Sequence, residues 1–405
     1  MRIAITLQSL DETWGGIGVY TKELVPSLLR ADPENEYVLL YPGFGAPRKR
    51  LGQFRRFPNV LEVETTESHV PSGTYWDQRI VPAVARRYGV DVLFNPFMSV
   101  PIRGKFGKVL IMHNVEYHTV PNVYDFRMFV RWKFLERVIL PSADRVISIS
   151  QVMTDDFAKC MRYPIDQVRT IYHGVSDRFR RVEDPERLAW AREQYVLPER
   201  FLLFVGNLYP QKNFATLARA FAALRDEIPH KLVVAGRPRW KYDADLELIE
   251  RLGIRDRVEF LQFVPHDDLP LVYSMADAFI YPSLYESFGL AQLEAMACGC
   301  PVIGARSGAI PEICGDAALL FEPKDDVALA AAIRQVLGDD ATRAELVRKG
   351  YARAKEFTWA RCAEATLDVM RELGGDSRSV ARGSGLRPAL GGSTPPYGRR
   401  HVAQR

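Results

Sequence analysis

The stretch DAFIYPSLYESFGLAQLEAMACGCP, residues 277–301, decides the fold. It opens with an apolar run, Ala278–Tyr281, stops at Pro282 and passes through a loop carrying Glu286. A helix is expected over Leu290–Ala297, starting near Phe288–Gly289, and a second apolar run follows at Pro301–Gly304. The order is strand, loop, helix, strand, and the strand runs are continuous rather than alternating, as strands buried on both faces should be. The start of such a helix presents unpaired N–H groups and partial positive charge, which suits a diphosphate. Gly289 lets backbone approach a ligand closely. Glu286 in the loop and Glu294 in the helix lie eight residues apart, so both carboxylates can reach hydroxyls of a ligand whose diphosphate meets the helix start. Taken alone, the pair reads as a loop charge and a solvated helix residue.

The same rhythm runs outward in both directions. Upstream, strands are expected at Arg2–Leu7, Glu36–Tyr41, Asn59–Val63, Val90–Asn95, Lys108–His113, Arg145–Ser150 and Val168–His173. Helices fall between them at Gly16–Arg30, Trp76–Tyr88, Phe126–Leu140 and Val152–Cys160. Asp177–Arg200 breaks the pattern with charge and with Pro185 and Pro198, and marks a domain boundary with room for one helix. Beyond it, strands are expected at Phe201–Val205, Lys231–Ala235, Val258–Val264, Ala278–Tyr281, Pro301–Gly304 and Ala317–Phe321, and a final helix at Phe357–Leu373. The reading is an α/β chain of two Rossmann-like, doubly wound domains whose carboxyl strand ends face a shared cleft.

Composition fits this and narrows the function. A chain of 405 residues, 47% hydrophobic and 26% charged, is long enough for two cores without staples. Its net charge of +4 resides in the tail, where Arg378, Arg382, Arg387, Arg399, Arg400 and Arg405 face one aspartate, Asp376. The first 375 residues together carry −1, so the body offers no nucleic-acid-binding charge. The five cysteines (Cys160, Cys298, Cys300, Cys314, Cys362) form no CxxC pair, which suits a reducing compartment and argues against a zinc site. MRIAITLQSLDE does not read as a signal peptide, and no apolar run reaches the ~18–20 residues of a bilayer span. A cytoplasmic protein is expected, with peripheral membrane contact open. The Gly-, Ser-, Pro- and Arg-rich end has no periodicity, so disorder is expected there.

Three further stretches fall at strand ends. VGNLYPQKN, residues 205–213, offers Lys212 to a diphosphate. WGGIGVYTK, residues 14–22, offers Gly15 and Gly16 for close backbone approach, with Gly18 for helix packing. It is not a dinucleotide fingerprint, because Thr21 holds the last glycine position and the loop begins well past Leu7. HNVEYH, residues 113–118, lacks the HExxH spacing of a zinc site. Separately, DFRMFVRWKFLERVIL, residues 125–140, repeats Phe126, Val130, Phe134 and Val138 every four residues among Arg127, Arg131, Lys133 and Arg137. Such a helix can rest on an anionic membrane or pack on a sheet with its charges solvated.

ESFGLAQLEAMACGCPVI followed by SGAIPEI resembles the E-x7-E region of the family-4 retaining glycosyltransferases of GT-B fold, and the other stretches occur in that family's order through most of the first 360 residues. The resemblance implies residues 1–178 as the acceptor-side domain, 179–357 as the nucleotide-sugar domain, 358–374 as a helix crossing back to the first, and 375–405 as the basic tail. It implies Glu286 at the donor sugar, Glu294 at the ribose, and the backbone of Ser287, Phe288, Gly289 and Leu290 at the phosphates. Gly15 and Gly16 would lie beside the diphosphate, with Lys212 against it and His113 near the donor sugar. His173, in IYHGV, matches a motif closing the first domain, and Glu312 either lines the sugar pocket or starts a helix. Where the family often carries arginine, this chain has Asn207, which leaves Lys212 as the main phosphate cation, with Arg237 a candidate substitute. Same-face displacement with retention is implied, with no covalent nucleophile, metal or cofactor. The donor expected first is GDP-mannose, because the GNLxPxKN variant resembles bacterial mannosyltransferases of surface polysaccharides; UDP-sugars stay open, and the acceptor is a glycan or lipid-linked glycan. The alternatives are a GT-B epimerase or phosphorylase, or a non-catalytic nucleotide-sugar-binding subunit.

Overall fold

A computed structural model describes residues 1–10, 15–42, 52–65, 73–115, 118, 130, 132–236, 243–261 and 263–380, the side chains of 375–380 excepted. Each of the thirteen expected apolar runs overlaps a strand. The first seven are β1 (Arg2–Thr6), β2 (Glu36–Pro42), β3 (Val60–Thr65), β4 (Val92–Asn95), β5 (Gly107–Met112), β6 (Arg145–Ser148) and β7 (Val168–Thr170). They form a parallel sheet in the order β3-β2-β1-β4-β5-β6-β7. The next six are β8 (Phe201–Val205), β9 (Lys231–Ala235), β10 (Val258–Phe260), β11 (Ala278–Tyr281), β12 (Val302–Ala305) and β13 (Ala318–Phe321). These too are parallel, in the order β10-β9-β8-β11-β12-β13. Central residues such as Ile5, paired with Leu39 on one side and Phe94 on the other, are fully buried, which is why the runs read as unbroken apolar sequence.

In each sheet the strand order reverses once, between β1 and β4 and between β8 and β11. Crevices open at such switch points beyond the carboxyl ends of the strands, and here the loops at both crevices line one cleft.

The two halves are joined by adjacent stretches of chain. Val175 N–H donates to Phe357 O at 3.0 Å, and Val175 bridges to Thr358. The helix Trp359–Val380 then packs on the helix Gly16–Ala31 and on β4 and β5. Arg371 lies 3.5 Å from Asp32, and Arg145 lies 3.1 Å from Glu372. This helix runs past the expected end at 374 to Val380, so residues 375–380 are helical rather than part of an irregular tail. A helix already nucleated and anchored extends at little cost per residue. The rest of the tail, 381–405, lies outside the described residues. At another edge of the cleft, Arg178 bridges the halves, pairing with Glu23 at 2.8 Å and also with Asp267.

Among the described residues no helix is long and apolar enough to cross a membrane. Of the expected 126–140 helix, Phe126, Arg127 and Arg131 lie outside the described residues. Val130, Phe134 and Val138 are 49%, 45% and 40% exposed, whereas Leu135 and Ile139 are buried. The stripe repeating every four residues therefore faces outward, and a different pair, Leu135 and Ile139, joins the core.

Candidate active site

The cleft holds about 730 Å³ and is walled by loops from both domains. On the second-domain side, the two strongest sequence stretches interlock. The turn Pro210–Lys212 follows β8, and Asn213 takes a left-handed backbone, φ 52°, immediately after it. Asn213 Nδ2 donates to Pro282 O at 2.9 Å, and Gln211 Nε2 donates to Tyr285 O at 2.8 Å. Leu284 N–H donates back to Gln211 O at 2.8 Å. These bonds fix Lys212 against the loop that carries Glu286.

Lys212 Nζ lies 2.6 Å from Glu286 Oε1 and donates to the Tyr281 hydroxyl at 3.2 Å. Both members of the ion pair are mostly buried, the Lys212 side chain 18% exposed and that of Glu286 10%. Burial alone would lower the ammonium's pKa, but the Glu286 carboxylate and Tyr281 outweigh it and hold the group above its usual value. An ammonium has three donors, so one is left for a third partner in the cleft.

Gly289, φ 92°, precedes the helix Leu290–Ala297, whose N-terminus has no side-chain cap. The positive φ is what favours glycine there; a Cβ would sit 2.6 Å from Gln292 Nε2, the end of a flexible side chain that would have to shift. The uncapped N-terminus borders the cleft through Ser287, Phe288, Gly289 and Leu290 and offers N–H donors to an anion. One helical turn on, Glu294 is buried rather than solvated; its Oε1 lies 3.1 Å from His266 Nε2 and its Oε2 accepts from the Tyr273 hydroxyl at 3.4 Å. Asn207 lines the cleft beside Gly206.

The first-domain wall is made differently. Gly15 and Gly16 form an exposed lip at the start of the helix Gly16–Ala31, which has no side-chain N-cap. His113, one residue past β5, places Nε2 2.9 Å from Pro96 O. A carbonyl only accepts, so Nε2 carries the proton and Nδ1 is left as an acceptor. Burial pushes the His113 pKa down to about 4, so the ring is neutral. His173 packs against Tyr20 and Phe288, each at 4.7 Å between ring centres, and stacks on Trp359 at 5.8 Å. Both His173 ring nitrogens, Asn114 Oδ1 and Ser287 Oγ are buried without hydrogen-bond partners. Such orphans cost free energy, and these border the cleft, where a ligand rich in hydroxyls can satisfy them.

Gly15, Gly16, Asn207, Lys212, Glu286, the Ser287–Leu290 backbone and Glu294 thus reach one cleft, together with His113. His118 does not line it; the ring lies 3.1 Å from Glu136 and 3.2 Å from Lys133. Glu312 does not line it either and instead caps a helix of the first domain, Gln151–Cys160. Arg237 lies outside the described residues. Sequence reasoning missed Tyr281 and His266. Tyr281 ends β11 and His266 follows β10, so the strand-end rule that found Lys212 would have found both.

Comparison with known proteins agrees with this fold. Residues 14–179 match the model for Glycosyltransferase Family 4, and residues 191–353 that for Glycosyl transferases group 1. The chain is 31% identical over 394 residues to O-antigen chain mannosyltransferase B of Escherichia coli, covering 92% of this chain and all of that protein. It is 29% identical over 255 residues to the serotype-specific mannosyltransferase WbdA of Escherichia coli, covering 62% of this chain and 31% of that protein. Among solved structures, sucrose-phosphate synthase from Thermosynechococcus elongatus superposes with a TM-score of 0.73 at 23% identity, over 93% of this chain and all of that one. Anabaena HepE, solved with UDP and glucose, superposes at 0.67 and 19% identity, over 94% and all of the respective chains.

Two parallel-sheet domains closing on a cleft with a buried cation and an uncapped helix start define a glycosyltransferase of GT-B fold. The chain belongs to the group 1 glycosyltransferases, and it resembles the bacterial mannosyltransferases among them.

Proposed function

We propose that the chain transfers a hexosyl unit, mannosyl in the first instance, from a nucleoside diphosphate sugar to a hydroxyl of a glycan or lipid-linked glycan, with retention at the anomeric carbon. The observation that carries this is the Lys212–Glu286 pair set against the uncapped helix start at Leu290. Cation and N–H donors lie where charge develops on a departing diphosphate, and the carboxylate lies where positive charge develops on the sugar. The anomeric C–O bond breaks with its electrons going to the phosphate oxygen, and Lys212 and the helix amides take up that charge. The acceptor oxygen forms its bond to the anomeric carbon on the same face, and its proton passes to the leaving phosphate. Glu294 grips the ribose, Gly15 and Gly16 close over the phosphates, and His113 Nδ1 accepts from a sugar hydroxyl. No metal is required in this scheme, because Lys212 and the helix start meet the diphosphate.

Similarity to the E. coli O-antigen mannosyltransferase over nearly the whole chain favours GDP-mannose as donor. HepE, solved with UDP-glucose, keeps UDP-sugars in play. A panel of nucleotide sugars, followed by NMR of the product anomer, tests the reading. Acceptor-dependent nucleotide release with a retained anomer is expected. Release without acceptor incorporation, or release that needs inorganic phosphate, would move the protein to an epimerase or a phosphorylase, and no turnover by the purified chain would make it a binding subunit.

The outward stripe Val130, Phe134 and Val138, beside exposed Arg137, supports peripheral contact of the first domain with an anionic membrane. Flotation with phosphatidylglycerol vesicles should retain the wild type and lose Phe134→Glu, and equal retention of both would refute the contact.

A further inference from the structure

Residues 307–312 connect the Glu286 loop to the opposite domain. Ser307 Oγ donates to Ser283 O at 2.6 Å, and Ala309 N–H donates to Glu286 O at 2.8 Å. Between them Gly308, φ 50°, lies flat on the loop, and a Cβ there would come within 2.4 Å of Glu286 O. Four residues past Gly308, Glu312 crosses to the first domain. Its two carboxylate oxygens accept from Gln151 N–H at 2.7 Å and Val152 N–H at 2.9 Å, in the first turn of the helix Gln151–Cys160. That turn offers free amides and a partial positive charge, so an anion is favoured there. Arg353 holds the short helix that carries Glu312, donating to Glu312 O at 2.6 Å and Ile313 O at 2.8 Å.

The same first-domain helix meets the Glu286 loop twice more. Ser150, its N-cap, accepts from Met153 N–H at 3.1 Å and donates from its own hydroxyl to Ser287 O at 2.7 Å. Tyr285 donates to Asp156 at 2.9 Å. One helix of the first domain therefore holds both neighbours of Glu286, Tyr285 through its side-chain hydroxyl and Ser287 through its backbone carbonyl, while the carboxylate that seats this helix belongs to the segment bonded to Glu286 itself.

We propose that Glu312 is a positioning residue: its bidentate cap on the Gln151–Cys160 helix couples closure of the cleft to the placement of the Glu286 carboxylate. This rests on Glu286 meeting the donor sugar, as proposed above. An open cleft separates Glu312 from the helix start and leaves the Glu286 loop held from one side only. In the closed cleft the cap fixes both sides. The effect is on reaction rather than on grip of the nucleotide, because Lys212 and the Leu290 helix start belong to the second domain alone.

Two measurements test it on the full chain. Hydrogen exchange of the Gln151 and Val152 amides, which needs no substrate, should accelerate about 10-fold or more in Glu312→Ala, with the Met161 amide at the far end of that helix unchanged. In the same variant kcat should fall roughly 10- to 50-fold, while GDP and UDP affinities by calorimetry stay within about 3-fold. Glu312→Gln keeps one acceptor oxygen and should recover part of the kcat, and it carries the test if the alanine variant fails to fold. Unchanged exchange would show that the cap does not form, and faster exchange with unchanged kcat would show that it positions nothing; either overturns the proposal. A wild type that protects both amides but turns over no nucleotide sugar would instead sink the functional reading and leave the cap standing.

Discussion

The two walls of the cleft differ in what they offer a ligand. The second-domain wall is charged and stitched together: Lys212 on Glu286, Glu294 between His266 and Tyr273, and the turn of residues 210–213 bonded to the loop of residues 282–285. The first-domain wall carries glycine backbone, a neutral His113 and the His173 ring packed among aromatics. One wall suits a fixed, doubly charged group, and the other suits hydroxyls whose arrangement changes from sugar to sugar. The contrast explains how one scaffold can keep its diphosphate chemistry while the wall that faces hydroxyls varies.

The largest expected effect breaks the charged wall at its centre. Glu286→Ala should lower kcat by about 10²-fold or more, on the scale of removing one stabilising group from a developing charge. Diphosphate affinity should hold or tighten, since Lys212 loses its competing carboxylate; equal losses in kcat and in diphosphate binding would refute the division of roles. Next, Glu294→Ala should weaken the diphosphate and the intact donor alike, by about 1.5–3 kcal/mol, as for a charge-assisted hydrogen bond. Calorimetry with the diphosphate beside donor kinetics checks this, with circular dichroism to show that the variant is folded.

The neutral wall predicts a pH effect of its own. A histidine near 6.5 when unfolded and about 4 when folded binds more protons unfolded between those values, so stability rises with pH across that window. Its contribution is full above pH 6.5 and is lost as pH falls towards 4, amounting to about 2 kcal/mol between pH 7 and pH 5. Denaturant unfolding at the two pH values should show at least that loss, to which buried His173, also held below its usual value, adds, and His113→Asn should reduce it by His113's share; an undiminished slope in the variant would place the effect elsewhere. The smallest effect is expected from chelation. If protein groups alone meet the diphosphate, EDTA should change turnover less than about twofold, and an activity abolished by EDTA and restored by manganese would show that the charged wall is incomplete without an ion.

The same contrast governed what the sequence disclosed. Strands buried on both faces announce themselves as unbroken apolar runs, so both sheets were legible. Lys212 was legible as a charge at a strand end, whereas Glu286 and Glu294, which taken alone read as a loop charge and a solvated helix residue, were legible only through the resemblance of the whole stretch ESFGLAQLEAMACGCPVI to the family's E-x7-E region. The helix Asp243–Arg251 was not foreseen, because its apolar face is short, Leu246, Leu248 and Ile249 among acidic residues, and only Ile249 is fully buried. Of the two readings of Glu312, the sugar pocket and a helix start, the second holds, since it lies in the first turn of the helix Ile310–Cys314; what it caps was hidden, because its partner helix lies 160 residues away, where no local pattern can point. The outward turn of Val130, Phe134 and Val138 was equally hidden, since a four-residue repeat shows that a face exists and not which way it looks.

The last helix has a consequence for the order in which the protein can be completed. Trp359–Val380 covers β4, β5 and the helix Gly16–Ala31, all near the start of the chain. A ribosome adding ~5–20 residues per second needs roughly 10–40 s to travel from the end of the first sheet to that helix. For that interval the nascent first domain has its strands but not its outer cover, with apolar surface on β4 and β5 open to chaperones or to neighbouring chains. The domain made first is finished last.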